Sequence, residues 1–254
     1  MATIHVAHMS FVFGLLGNIV SFLVYLAPSP TFYRICKRKS TEEFQSLPYS
    51  VALFSAMLTL YYAFLKTSAL LLITINCIGI AIESIYLAMY MIYAPGRAKI
   101  YTAKLLTLFN VGFFGLIMLF TSPIRESSLR LTAVGWICAI VSVCVYASPL
   151  SVMRLVIRTK SVEFMPLSLS FSLTICAIMW FFYGLLIKDF FIAAPNILGF
   201  GFGTAQMILY TIYKDKKKDI LPEFKLQDVP NGTAENGKTE KTETLNETKD
   251  STVK

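Results

Sequence analysis

Charge is scarce in this chain and badly distributed for a water-soluble protein. Only 15% of its 254 residues are charged, where soluble domains carry about a quarter, and many of those charges crowd into the stretch after Tyr213. Histidine is scarcer still: His5 and His8 both lie near the N-terminus. The five cysteines (Cys36, Cys77, Cys138, Cys144 and Cys176) are odd in number, form no C-x-x-C pair and, apart from Cys36, sit inside apolar runs. A disulfide framework and a zinc site are therefore excluded, and the thiols read as small buried side chains. No H-E-x-x-H, no G-x-S-x-G and no intramembrane Asp pair is present, so nothing points to an enzyme or to a cofactor.

What the chain has is hydrocarbon. Hydrophobic residues make up 56%, gathered into runs near 8–27, 46–65, 68–92, 103–121, 131–150, 166–187 and 192–213. Each is long enough to cross a bilayer core of about 30 Å as a helix of about 20 residues. The first run has no basic n-region and no small-x-small cleavage site, so it reads as a span and not as a signal peptide. The expected class is an all-α polytopic membrane protein of seven transmembrane helices.

The net charge of +8 does not point to nucleic acid. Its basic residues fall in short clusters such as "RICKRK", "RLVIRTK" and "YKDKKKD", with no interleaved aromatic surface. Arg34, Lys37, Arg38, Lys39, Arg97, Lys99, Lys104, Arg154, Arg158, Lys160, Lys214, Lys216, Lys217 and Lys218 fall on one side of the spans, and Lys66, Arg125, Arg130 and Lys188 on the other. By the positive-inside rule the N-terminus is expected outside and the C-terminus in the cytosol. Residues 214–254, rich in Glu, Lys, Thr and Asn, are expected to form a disordered cytosolic tail. The sequons at Asn231 and Asn246 in that tail then read as chance matches.

A duplication is legible. At an offset of 121 residues Tyr25 matches Tyr146, Pro28 matches Pro149, Ser21 matches Ser142, Ser55 matches Cys176, Tyr62 matches Tyr183, and Gly14 matches Gly135. One deletion later Asn76 matches Asn196. Residues 1–92 and 131–213 therefore read as two three-span repeats. Three spans are odd in number, so a second copy fused directly would enter the membrane inverted. The unpaired span within 93–130 restores its orientation. The expected architecture is two parallel three-helix bundles joined by a linker helix (3+1+3).

Asn76 lies ten residues past Lys66 and Asn196 eight past Lys188, which at 1.5 Å per residue places both carboxamides near mid-membrane. An intramembrane Asn can be mere interhelical glue worth about 1 kcal/mol. A symmetry-related pair points instead to a binding site in which each side chain offers two donors and an acceptor. Pro28, Pro48, Pro149 and Pro166 interrupt spans at their expected cytosolic ends and are read as kinks around one mouth. Glu83, the acid deepest in the membrane, is expected to hydrogen-bond a neighbouring Tyr or the backbone.

The stretches "GLLGNIVSFLVYLAPSPTFYRICKRKSTEEFQSLPY", "LLITINCIGIAIESIY", "TKSVEFMPLSLS" and "WFFYGLLIKDFFIAAPNILG" resemble the plant SWEET sugar transporters of the MtN3/saliva class over about residues 8–213. That family is itself the type case of parallel repeats with a substrate site at their interface. The resemblance implies facilitated, bidirectional sugar transport by alternating access, without a cofactor, in a homo-oligomer (dimer or trimer). It implies that Asn76 and Asn196 contact the sugar and that Trp180 stacks on its apolar C–H face. Ser21 and Thr59, the latter being the repeat partner of Trp180, join them as candidate site residues. Tyr62 and Asp189, with Tyr183 as the partner of Tyr62, resemble an extracellular gate, and the four prolines a cytosolic one. Val24, Ser55, Val145 and Cys176 resemble the pocket-size positions. All four are small, as in the sucrose-preferring branch, whereas Thr59 departs from the second tryptophan often found in disaccharide carriers. The expectation is a plasma-membrane uniporter for sucrose that also carries glucose. A seven-span receptor is the competing reading, against which stand the repeat, the short loops and the missing D/E-R-Y and N-P-x-x-Y motifs. A PQ-loop carrier is disfavoured because no Pro-Gln dipeptide occurs.

Overall fold

In hydrocarbon every backbone N–H and C=O must find its partner within the chain, and an unbroken apolar run does so most simply as a helix. The computed structural model describes residues 2–214 except 43, 68, 146, 163 and 164. Among the described residues it contains helices and loops and no strand. The tail and its sequons lie outside the described residues.

Seven helical stretches are long and apolar enough to cross a membrane. The first is α1 (Ala2–Leu26) continued by α2 (Ser29–Arg38), followed by α3 (Leu47–Leu65) and α4 (Leu70–Tyr93). The fourth runs from α5 (Gly96–Leu105) through a π-helical segment (Leu106–Phe113) into α6 (Phe114–Thr121). The last three are α7 (Ser127–Val145) with α8 (Ala147–Thr159), then α9 (Leu167–Leu186), then α10 (Phe190–Tyr213). The first and fifth overrun their sequence-predicted ends because Pro28 and Pro149 do not end the span, and the fourth starts earlier than predicted, at Gly96 just after Pro95. Large apolar side chains such as Phe120, 72% exposed, and Val111, 69% exposed, face outward. That surface is untenable in water and ordinary in lipid.

The packing repeats itself. Within the first bundle α4 packs on α1 and α3, and within the second α10 packs on α7 and α9. The bundles meet where α1 packs on α9 and where α3 packs on α7, two repeat-equivalent seams. Glycine makes the closest crossings possible. A Cβ on Gly14 would stand 2.6 Å from Leu71, and one on Gly135 2.6 Å from the Phe191 ring. Leu71 and Phe191 occupy the same repeat position, so one glycine makes the matching close crossing in each bundle.

The prolines divide into two kinds. Pro28 sits between α1 and α2, with Ala27 N–H turned back 3.1 Å to Val24 O, and Pro149 lies in the first turn of α8. Pro28 thus marks a break within its long span, whereas Pro149 lies inside a helical path that runs from Ser127 to Thr159 among the described residues. Pro48 lies in the first turn of α3 and Pro166 caps α9, so neither kinks a helix. At that end the missing N–H has no intrahelical partner to lose, which is why proline is common there. The break at Pro28 is braced by Tyr86, whose hydroxyl donates to Tyr25 O (3.1 Å) and lies 2.8 Å from Ser29 Oγ.

Candidate functional site

Between the two bundles lies a cavity of about 320 Å³. α4 and α10 supply its floor from matching positions: Leu72, Ile75 and Asn76 from one, Ile192, Pro195 and Asn196 from the other. Positions i, i−1 and i−4 share a helix face, so a carboxamide that turns inward brings these neighbours with it. Both amides are held identically. Asn76 Nδ2 donates to Leu72 O at 2.8 Å and Asn196 Nδ2 to Ile192 O at 2.7 Å. Each therefore keeps its carbonyl oxygen and its second N–H for a guest. α4 begins at Leu70 and α10 at Phe190, later than Lys66 and Lys188 suggested. Each carboxamide thus lies about 9 Å inside its helix end at 1.5 Å per residue, off the helix midpoint and toward the loops after α3 and α9. Lys66 and Lys188 stand before these helix starts, so counting from them at the helical rise overstates the depth.

The side walls break the symmetry in a useful way. Trp180 stands where the other repeat has Thr59, and both face the cavity. The indole N–H donates to Ser21 Oγ at 2.9 Å, and that oxygen is 3.1 Å from Cys176 Sγ. With its polar edge engaged, Trp180 presents only its ring face. Gly17 makes room for it, since a Cβ there would lie 3.1 Å from the indole. Thr59 Oγ1 donates to Ser55 O at 2.9 Å, so its hydroxyl proton is already engaged.

Ser21, Val24, Thr59, Tyr62, Asn76, Cys176, Trp180 and Asn196 line this cavity together. Ser55 is not on its wall, and Val145 faces a separate apolar groove beside the π-helical segment. Tyr183 packs edge-on against Trp180, ring centres 5.3 Å apart. Pro28, Pro48, Pro149 and Pro166 also lie off this wall. The wall includes residues that sequence reading passed over: Tyr25, Cys138, Phe191 and Ser142. Ser142 and Cys138 were recoverable from the 121-residue offset, as the partners of Ser21 and Gly17.

Beside the cavity, Tyr62 joins a buried cluster, called here the latch. Asp189, 4% exposed, accepts a hydrogen bond from the Tyr62 hydroxyl at 2.8 Å and pairs with the Lys66 ammonium. Its other oxygen caps α10 through Phe191 N (3.0 Å) and Ile192 N (3.2 Å). One buried carboxylate thus joins α3, the loop after it, and the start of α10. Tyr62 has no equivalent latch in the other half, because the position matching Asp189 is Ala69. Lys66 was visible in the sequence as one of four basic residues at this end, but its partner was not.

Glu83 does not meet the expectation set for it. Its side chain is buried, and its Oε2 finds no hydrogen-bond partner among the described residues. The nearby phenol of Tyr25 leans instead over Gly79, where a Cβ would stand 2.5 Å from the hydroxyl oxygen.

The model of a family described as sugar efflux transporters for intercellular exchange matches the chain twice, over residues 11–98 and 132–218. The bidirectional sugar transporter NEC1 of Petunia hybrida is 57% identical over 86% of this chain and 82% of its own length. The bidirectional sugar transporter SWEET9 of Arabidopsis thaliana is 58% identical over 85% of this chain and 84% of its own. The solved structure of a eukaryotic SWEET transporter superposes with a TM-score of 0.78 at 36% identity, covering 83% of this chain and 99% of that one. The two family matches coincide with the two bundles, the relatives named are transporters and not enzymes, and the chain belongs to the MtN3/saliva (SWEET) family.

Proposed function

We propose that this chain is a facilitative, bidirectional sugar carrier that works by alternating access around the cavity between its bundles. The observation that carries the reading is the pair of identically held carboxamides with an indole face beside them. A sugar has an apolar C–H face and a polar rim. Trp180 suits the first, and Asn76 and Asn196 suit the second. The Tyr62–Asp189–Lys66 latch closes the extracellular end, where basic residues are few, and Pro28 and Pro149, at equivalent positions of the two repeats, let the cytosolic end open. The N-terminus is then extracellular and residues 214–254 cytosolic, in the plasma membrane.

Val24 and Cys176, small side chains on the wall, leave space for a disaccharide, which favours sucrose with glucose also carried. Thr59 in place of a second indole leaves one stacking plane, so the second ring is held by hydrogen bonds. No step of this mechanism uses a proton or another ion, and the carrier is a uniporter that assembles with copies of itself. The four-way assignment of residues 1–92, 93–130, 131–213 and 214–254 as repeat, linker, repeat and tail follows the same logic.

The test is uptake of radiolabelled sucrose and glucose into proteoliposomes. Equilibration in both directions, unchanged by an imposed pH gradient, is expected. Accumulation above the external concentration that an uncoupler abolishes would refute uniport, and absence of flux for both sugars would refute the carrier reading.

A further inference from the structure

The two bundles are not equally filled at their outer corners. In the first, α1 and α4 are bridged by Asn18, whose Nδ2 donates to Thr74 Oγ1 at 3.3 Å. The matching positions in the second bundle are Ala139 and Ala194. There α7 and α10 leave a groove of about 440 Å³ whose walls include both alanines, Trp136, Phe190 and Lys188. Trp136 is 61% exposed and Phe190 69% exposed, and Lys188 stands at the rim in a left-handed turn with φ 57°.

The charges around it narrow the occupant. Of the four basic residues assigned to this end, Lys66 is held by Asp189 and Arg130 by the Tyr61 hydroxyl. Lys188 is exposed and stands at the rim of a groove whose walls are mostly apolar, the paired Lys66 and Asp189 being the charged exceptions. Trp136 lies six residues along α7 from Arg130, about 9 Å deeper at the helical rise. A cation at the interface above an indole at the depth of the upper acyl chain matches the layout of one phospholipid.

We infer that the groove between α7 and α10 is a phospholipid site, with the phosphate on Lys188 and an acyl chain lying between Trp136 and the two alanines. The inference rests on the chain spanning a membrane and not on what it carries. Tyr62, Lys66, Asp189 and Phe191 also wall this groove, so the bound lipid lies against the back of the latch.

The two tryptophans make the test direct. Trp136 is exposed and Trp180 buried at 8%, so phospholipid brominated along one acyl chain, titrated into the purified full chain in detergent, quenches chiefly Trp136. A Trp180→Phe variant isolates the signal. If that variant fails to fold, wild-type protein serves, with Trp180 as a constant background. Saturable quenching is expected, with affinity about tenfold weaker in Lys188→Gln, the factor for one lost charge-assisted contact. Brominated diacylglycerol, which lacks the phosphate, should not distinguish the two proteins. The double variant Ala139→Asn/Ala194→Thr, which transplants the bridge of the first bundle, should abolish saturation. Non-saturable quenching, equal affinity in Lys188→Gln, or loss of the signal on formation of a dimer or trimer would overturn the site, the last assigning the groove to a second copy.

Discussion

The latch makes a prediction whose size follows from its geometry. Asp189→Asn keeps an oxygen to cap α10, since Asn and Asp are comparable caps, and keeps a hydrogen-bonding edge for Tyr62. What it removes is the charge that holds Lys66, whose side chain is 18% exposed. Losing one partner of a fully buried pair costs about 3–5 kcal/mol. Lys66 sits at the end of its helix, from which its stem can reach toward the interface, so about 1.5–3 kcal/mol is the fitting range. That destabilises only the state in which the latch is shut, and it raises opening at this end by roughly 10- to 100-fold. Cys138 on the cavity wall supplies a native probe. In a background with the other four cysteines replaced by serine, a membrane-impermeant thiol reagent applied from the Lys66 side should label Cys138 faster in Asp189→Asn by that factor. An unchanged labelling rate in a folded variant would show that Asp189 does not hold this end shut.

Three further outcomes follow from the site and the packing. Asn76→Ala, Asn196→Ala and Trp180→Ala should each abolish sugar flux while protein still reaches the membrane. Trp180→Phe, which retains a ring face, should keep part of it; uptake assays with surface quantification decide. Val24→Leu should depress sucrose uptake more than glucose uptake, and Val145→Leu should not, because Val24 lines the cavity and Val145 does not. Equal losses for both sugars in Val24→Leu would remove it as a size determinant. Gly135→Ala should destabilise the protein by about 1–3 kcal/mol by driving a methyl into the Phe191 ring, read as a lower Tm in detergent, whereas Gly115→Ala, which meets nothing within 4 Å, should not.

The span count and the pairing of Asn76 with Asn196 could be read from the sequence because each rests on local or periodic signals. Hydrocarbon length sets the first, and a constant offset sets the second. The offset also carried more than was drawn from it: Ser142 and Cys138 on the wall, and the matched crossings at Gly14 and Gly135. What the sequence hid was contact across elements. Nothing local ties Lys66 to Asp189, turns the Trp180 N–H toward Ser21, or leaves Glu83 Oε2 without a partner. Pro48 and Pro166 misled for the opposite reason, since a proline looks the same in sequence whether it starts a helix or breaks one. Val145 and Ser55 were carried over by resemblance, and the walls of this conformation do not include them.

The manner in which the two carboxamides are tethered has a consequence for the journey made without cargo. Under the alternating access proposed above, a carrier that works in either direction must swing back unladen, and polar groups left orphaned in the vacant chamber would slow that return stroke. Because each amide already leans on a carbonyl of its own helix, release of the passenger strands only the second N–H and the oxygen of each amide and leaves the tethered N–H satisfied. The tether thereby limits, without abolishing, what the vacant chamber leaves unpaired.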